Sequence, residues 1–113
     1  MTIEAKSVTE NIHLFLRTRR SVRRFKSDPV PASTIERILE TAIHAPSAHN
    51  LQPWRFAVLQ GLSARRRLGQ ALTAKMHADM TATGALQSEI DSRVQRSLCR
   101  LEEAPVVILL CRD

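Results

Sequence analysis

The sequence predicts an α+β fold, and three observations predict it. Four segments repeat apolar residues with the 3.6-residue period of an amphipathic helix. Two short aliphatic runs, each bounded by proline or glycine, have the length and composition of strands. The predicted order is helix, helix, strand, helix, helix, strand. Two strands alone make a poorly covered sheet, so further strands are expected from sequence beyond this segment or from a partner.

Ser7 to Glu10 has the form of a capping box, which places Ser7 as the cap of a first helix running to about Arg19, with Val8, Ile12, Phe15 and Leu16 on one face. Ser21 to Pro31 is expected to be irregular or extended, because Pro29 and Pro31 each push the residue before them out of the helical region. Ser33 to Glu36 is a second capping box, and Ile35, Ile38, Leu39, Ala42 and Ile43 line one face of the helix it opens. That helix is expected to stop at Ala45, ahead of Pro46. Pro46 to Pro53 is a polar, proline-bounded loop, of the kind that commonly carries function. Arg55 to Gln60, closed by Gly61, is expected to be a buried strand. Ser63 then caps a long helix with Leu68, Leu72, Met76 and Met80 as its stripe, and Gly84 is placed to end it. A fourth helix spans about Gln87 to Glu103, with Ile90, Val94, Leu98 and Leu101 buried. Val106 to Cys111, following Pro105, has the continuous aliphatic character of a central strand covered on both faces.

With 113 residues, 43% of them apolar and 25% charged, the chain is an ordinary globular sequence holding one domain at most. Seventeen Lys and Arg against 11 Asp and Glu give a net charge of +6, a surface that favours anions without choosing among them. The basic residues cluster between Arg17 and Lys26, at Arg65 to Arg67, and at Arg93, Arg96 and Arg100; only the first cluster has a spacing that points to a chemistry. The first thirty residues contain no apolar run with a cleavage site and no apolar run reaches eighteen residues, so a cytoplasmic protein without a membrane partner is expected. Cys99 and Cys111 are expected to be buried free thiols. His13, His44 and His77 are scattered without metal-ligand spacing, so no metal is expected. A nucleic-acid-binding module is disfavoured because aromatics are only 4%, with no Tyr and no stacking stripe.

Two segments say more. Arg19-Arg20-Ser21-Val22-Arg23-Arg24-Phe25 follows the first helix, and Ala45-Pro46-Ser47-Ala48-His49-Asn50-Leu51-Gln52-Pro53-Trp54-Arg55-Phe56 joins the second helix to the first strand. The first resembles the arginine-rich flavin motif of the nitroreductase family. The second resembles that family's proline-serine, asparagine, glutamine-proline-tryptophan loop. Either alone is weak; both in this order, one helix apart, form a fairly specific match. The resemblance implies a three-layer α/β/α fold with helices around a mixed sheet, and an intertwined homodimer with FMN at the subunit interface. It covers nearly the whole chain but only the N-terminal half of the family's domain, so residues 1–113 are expected to be an incomplete domain with the second half absent. The stretches Asp28 to Pro31, Glu89 to Val94 and Ala104-Pro105 are also similar to one branch, the nitroreductase-like C-terminal domain of coenzyme F420 gamma-glutamyl ligases.

By that resemblance, Arg19, Arg20, Ser21 and Arg23 would hold the phosphate, ribityl chain and pyrimidine edge of FMN, while Arg24 has no place in the pattern. Arginine suits the task, since its guanidinium stays charged and offers a planar fork where lysine gives a point charge. The other reading of the run is a solvated basic helix end that complements the helix dipole. Pro46, Ser47, Ala48 and Asn50 match the loop that packs against the flavin from the other subunit, with Gln52 nearby. Asn50 and Gln52 each donate and accept, as a pyrimidine edge requires, and Pro46 and Pro53 stiffen the loop. A plain helix-to-strand connection is the other reading there. Trp54 is expected to be a core anchor and His49 to face solvent. No catalytic side chain is expected, because the flavin does the redox chemistry. Without a Gly-x-Gly-x-x-Gly motif, the nicotinamide is expected to stack transiently on the flavin. The implied activity carries electrons from NAD(P)H to nitroaromatic, quinone or similar small-molecule acceptors. The alternatives are a flavin domain acting on a deazaflavin cofactor or its precursor, an inactive truncated fragment, and a basic nucleic-acid-binding module.

Overall fold

A computed structural model describes the backbone of residues 3–113 and the side chains from Ser7 onward. The elements follow the predicted order: α1 (Ile3–Arg17), α2 (Ala32–Ala42), a single 3-10 turn (Ala48–Asn50), β1 (Trp54–Leu59), α3 (Leu62–Ala82), α4 (Gln87–Glu103) and β2 (Val107–Arg112). The three expected serine caps are not used. α1 begins four residues before Ser7, which therefore lies inside it, and Ser33 and Ser63 fall within the first turns of α2 and α3. The residues that turn the chain into those two helices are Pro31 and Gly61, both extended (ψ 142°) and neither with a side-chain cap bond. Pro31 wins because its ring already fixes φ (here −58°) and its carbonyl accepts from the amides of Thr34 and Ile35.

α2 stops at Ala42, short of the expected Ala45, and two tight turns (His44 N–H to Thr41, Ala45 N–H to Ala42) carry the chain on to Pro46. Gly84 does end α3. At φ 78° it closes a Schellman motif, with its amide on the Thr81 carbonyl and that of Ala85 on Met80.

α3 packs on α4, and β1 pairs with β2. The line of α3 that meets α4 is Arg65, Gly69 and Thr73, one position off the expected Leu68, Leu72, Met76 and Met80 stripe; Leu72 is exposed. Small residues win this seam because they let the helices approach: a Cβ on Gly69 would stand 3.1 Å from a Leu98 methyl. On α4 the expected stripe holds, with Ile90 only 1% exposed. Arg65 closes the end of this pair. It is buried, and its Nη1 donates to the carbonyls of Leu101 (3.2 Å), Glu102 (2.6 Å) and Ala104, the orphan acceptors where α4 ends.

The strands form an antiparallel pair, Trp54 opposite Arg112 through Leu59 opposite Val107. Among the described residues no third strand joins them. β2 is consequently half-buried from Val107 to Leu109 and exposed from Leu110 to Arg112, not covered on both faces as its composition suggested; β1 is likewise half-buried at best. Both cysteines are free, but exposed rather than buried: Cys99 lies off the α4 stripe, and Cys111 lies in the open part of β2. The radius of gyration is 18.7 Å, where a compact chain of this length would have about 13 Å. The excess comes from α1, whose described side chains are all exposed, and α2, which buries only Ile35.

Candidate functional site

α1 terminates through Thr18, whose amide and hydroxyl both donate to the Leu14 carbonyl, and a segment without regular secondary structure follows as far as Pro31. Here the first group of expected site residues lies exposed. Arg20 Nη1 donates to the carbonyls of Arg17 (3.4 Å) and Arg19 (3.1 Å), so this residue partly satisfies the helix end. Arg19, Ser21 and Arg23 make no side-chain hydrogen bond or ion pair among the described residues and keep their full donor capacity.

Arg24, the arginine outside the motif, has a partner. Its Nε and Nη2 clasp the Glu103 carboxylate at 3.2 Å, and this hydrogen bond, with the accompanying charge attraction, raises the Arg24 pKa above the ordinary arginine value. The clasp brings the segment against α4. Arg23 and Arg24 thereby face Gln95, Arg96, Cys99 and Arg100 across an open groove of about 680 Å³, with Glu102 and Glu103 at its margin. Sequence reasoning noticed Arg96 and Arg100 as a cluster but attached no site to them, because their neighbours come from the far end of the chain.

The second group is organised around Ser47. Its carbonyl accepts from the Asn50 amide (3.1 Å) and its hydroxyl from the Gln52 amide (3.0 Å), while Ala48 accepts from Leu51. Three loop residues adopt positive φ: His49 (51°), Asn50 (53°) and Gln52 (50°). Asn tolerates that region, whereas Gln is held there at a cost of about 1 kcal/mol. Gln52 Nε2 donates to Asn50 Oδ1 at 3.2 Å, leaving Asn50 Nδ2 as a free donor beside Gln52 Oε1 as a free acceptor. Pro46, Ala48 and His49 are exposed, and Trp54 is half-buried.

The loop is fixed to the sheet where β1 begins and β2 ends. Asp113 N–H donates to the Pro53 carbonyl at 3.0 Å, and Arg55 Nη2 pairs with the Asp113 carboxylate at 2.6 Å. Arg24 is fastened at Glu103, just before β2 starts opposite the end of β1. The two groups of expected site residues therefore attach to opposite ends of a strand pair about 17 Å long, and no hydrogen bond or ion pair joins them among the described residues.

The sequence profile of the nitroreductase family matches residues 16–113. The chain is 38% identical over 95 residues to an NADH dehydrogenase of Thermus thermophilus, covering 84% of this chain and 35% of that protein. It is 39% identical over 82 residues to nitroreductase NfnB of Mycolicibacterium smegmatis, covering 73% of this chain and 33% of that protein. It thus spans about a third of the length of these relatives. Among solved structures, the FMN-dependent nitroreductase NfnB from Mycobacterium smegmatis, in complex with NADPH, aligns with 93% of this chain and 60% of its own, at a TM-score of 0.65 and 27% identity. Iodotyrosine deiodinase bound to FMN and 3-iodo-L-tyrosine shares the fold, at a TM-score of 0.66 and 24% identity over 87% of this chain and 54% of its own.

Proposed function

The chain belongs to the nitroreductase family, and we propose that it is the flavin-holding part of an FMN-dependent oxidoreductase that takes electrons from NAD(P)H and gives them to nitroaromatic, quinone or similar electron-poor acceptors. The observation that carries this reading is the unspent donor set of the arginine segment. Arg19 and Arg23 are charged and exposed, with no carboxylate paired to either among the described residues, beside the free hydroxyl of Ser21. That is the donor chemistry a phosphate dianion and a polar ribityl chain require.

Bound there, FMN would supply the redox chemistry that carries electrons from donor to acceptor. The chain's own residues bind and orient. Arg19, Arg20 and Ser21 hold the phosphate and ribityl oxygens, and Arg23 places positive charge at the pyrimidine edge. Asn50 Nδ2 and Gln52 Oε1 offer that edge a donor beside an acceptor, and Pro46, Ser47 and Ala48 keep the loop in its left-handed shape. No side chain is required as acid or base.

The attachment of the two groups to opposite ends of the strand pair supports a homodimer in which one subunit gives the arginines and the other the loop. The exposed apolar face of α1 supports the same assembly. The test is an FMN titration followed by fluorescence quenching and sedimentation. A saturable complex of dimer mass is expected, lost in the Arg19→Ala/Arg23→Ala variant. Flavin binding untouched by that double change would sink the assignment of these residues.

A further inference from the structure

The groove between the arginine segment and α4 holds more positive charge than its own carboxylates balance. Glu103 is engaged by Arg24, and Glu102 pairs with Arg66 Nε at 3.4 Å. Arg23 and Arg100 have no partner among the described residues, and Arg96 only donates weakly to the Ser92 carbonyl of its own helix, at 3.4 Å. Three guanidiniums directed at one open volume repel one another until an anion fills it. On α4, Arg96 and Arg100 are one turn apart, about 6 Å along the axis, so that two flexible side chains can close on adjacent phosphoryl groups. A smaller hollow of about 410 Å³ shares Arg96 with the groove and is lined also by Ser88, Glu89, Ser92 and Arg93.

We propose that this groove is a binding site for the diphosphate of a nucleotide, with Arg96 and Arg100 gripping the two phosphoryl groups. Size and lining favour a nucleotide over a nucleic acid. About 680 Å³ lies within the range of small-molecule sites. Glu102 and Glu103 stand at one end, where a continuing polyanion would meet their carboxylates, and no aromatic ring lines the walls for bases to stack on. The same diphosphate chemistry can come from a free nucleotide or from the ADP half of a nicotinamide dinucleotide. Identifying the second source rests on the oxidoreductase reading above; the anion site itself does not.

The test titrates the chain with ADP, inorganic pyrophosphate, adenosine, NADPH and a short DNA duplex, each with and without saturating FMN. ADP and pyrophosphate are expected to saturate in both cases, and adenosine in neither. Arg96→Gln/Arg100→Gln should weaken ADP by about tenfold to a hundredfold while leaving FMN binding unchanged, and Arg96→Lys/Arg100→Lys should recover part of the loss. Cys99 lies in the groove and Cys111 outside it, so ADP should slow maleimide labelling of Cys99 alone. Competition by NADPH for the ADP site identifies the electron donor as the source; ADP binding that NADPH leaves intact assigns a free nucleotide. ADP affinity indifferent to the α4 substitutions, ADP displaced one-for-one by FMN, or DNA bound more tightly than ADP and competing with it would each overturn the proposal. A chain that binds ADP but not FMN would keep the groove and refute the flavin reading.

Discussion

Arg24 holds Glu103 side-on across 79 positions of sequence, with its Nε 3.2 Å from both carboxylate oxygens and its Nη2 3.2 Å from one of them. This contact ties the arginine segment to the end of α4, and the segment has no regular structure of its own to hold it there. The Arg24 pKa is raised, first by the hydrogen bond and then by the charge attraction, so the charged form is favoured in the fold. The stabilisation is therefore complete below the ordinary arginine range and lost only above it. Over working pH the arginine stays charged, so loss of its proton does not open the contact.

Ionic strength is the variable that loosens this link, since Arg24 is exposed and its field is screened within about 10 Å at 0.1 M salt. Amides of the segment around Arg23 should exchange faster with solvent in Glu103→Gln, and faster in the parent as salt is raised. The swapped pair Arg24→Glu/Glu103→Arg should restore protection. If exchange in the swap matches that of the single variants, the contact does not position the segment.

Arg65 yields a stability prediction. One Nη serves three carbonyls at the end of α4 in a setting that is 8% exposed, while its Nε is buried without a partner. Removing the guanidinium strips acceptors that water reaches poorly, and Arg65→Met should cost about 1–3 kcal/mol. Arg65→Lys, able to reach the same carbonyls, should lose less. Urea unfolding checks both, and a methionine variant as stable as the parent would show that the carbonyls find other donors.

How far the sequence disclosed this arrangement depends on the range of the interaction. α4 was legible to the residue, because its stripe from Ile90 to Leu101 is a local pattern and Leu86 and Ala104 flank it in extended conformation. The seam of α3 was misread by one position, since Gly69 and Thr73 do not look like core residues until a second helix lies against them. The serine caps misled because Pro31 and Gly61 already satisfy the backbone at those junctions. In the loop, the residues were visible but their shape was not: nothing local announces that Gln52 takes positive φ or that Ser47 organises its neighbours. The groove was out of reach, since Arg23 and Arg96 come from distant parts of the sequence and line one hollow beside the clasp of Arg24 on Glu103.

Gln52 should show opposite effects on stability and binding. At φ 50° it is a residue with a Cβ in a region glycine occupies freely. Gln52→Gly relieves that strain but adds chain entropy to the unfolded state, so stability should stay level or rise by up to about 1 kcal/mol. Its Oε1 is lost at the same time, and flavin affinity should fall. Thermal unfolding and FMN titration on one preparation measure both, and unchanged affinity would remove Gln52 from the site.

α1 presents Val8, Ile12, Phe15 and Leu16 to solvent on one face, with Phe15 77% exposed. An amphipathic helix with its apolar face uncovered has lost its main source of stability, because helices in water depend on burying that face. A second copy of the chain would cover it, and in a two-fold dimer each substitution acts twice. Burying a phenylalanine contributes about 1.5–3 kcal/mol, so Phe15→Asp should weaken dimerisation by about a hundredfold or more once both copies are counted. Glu10→Gln, on the opposite side of α1, should leave it unchanged. Sedimentation velocity over a concentration series separates the cases. Should Phe15→Asp sediment as the parent does, the face of α1 is covered by something other than a second copy.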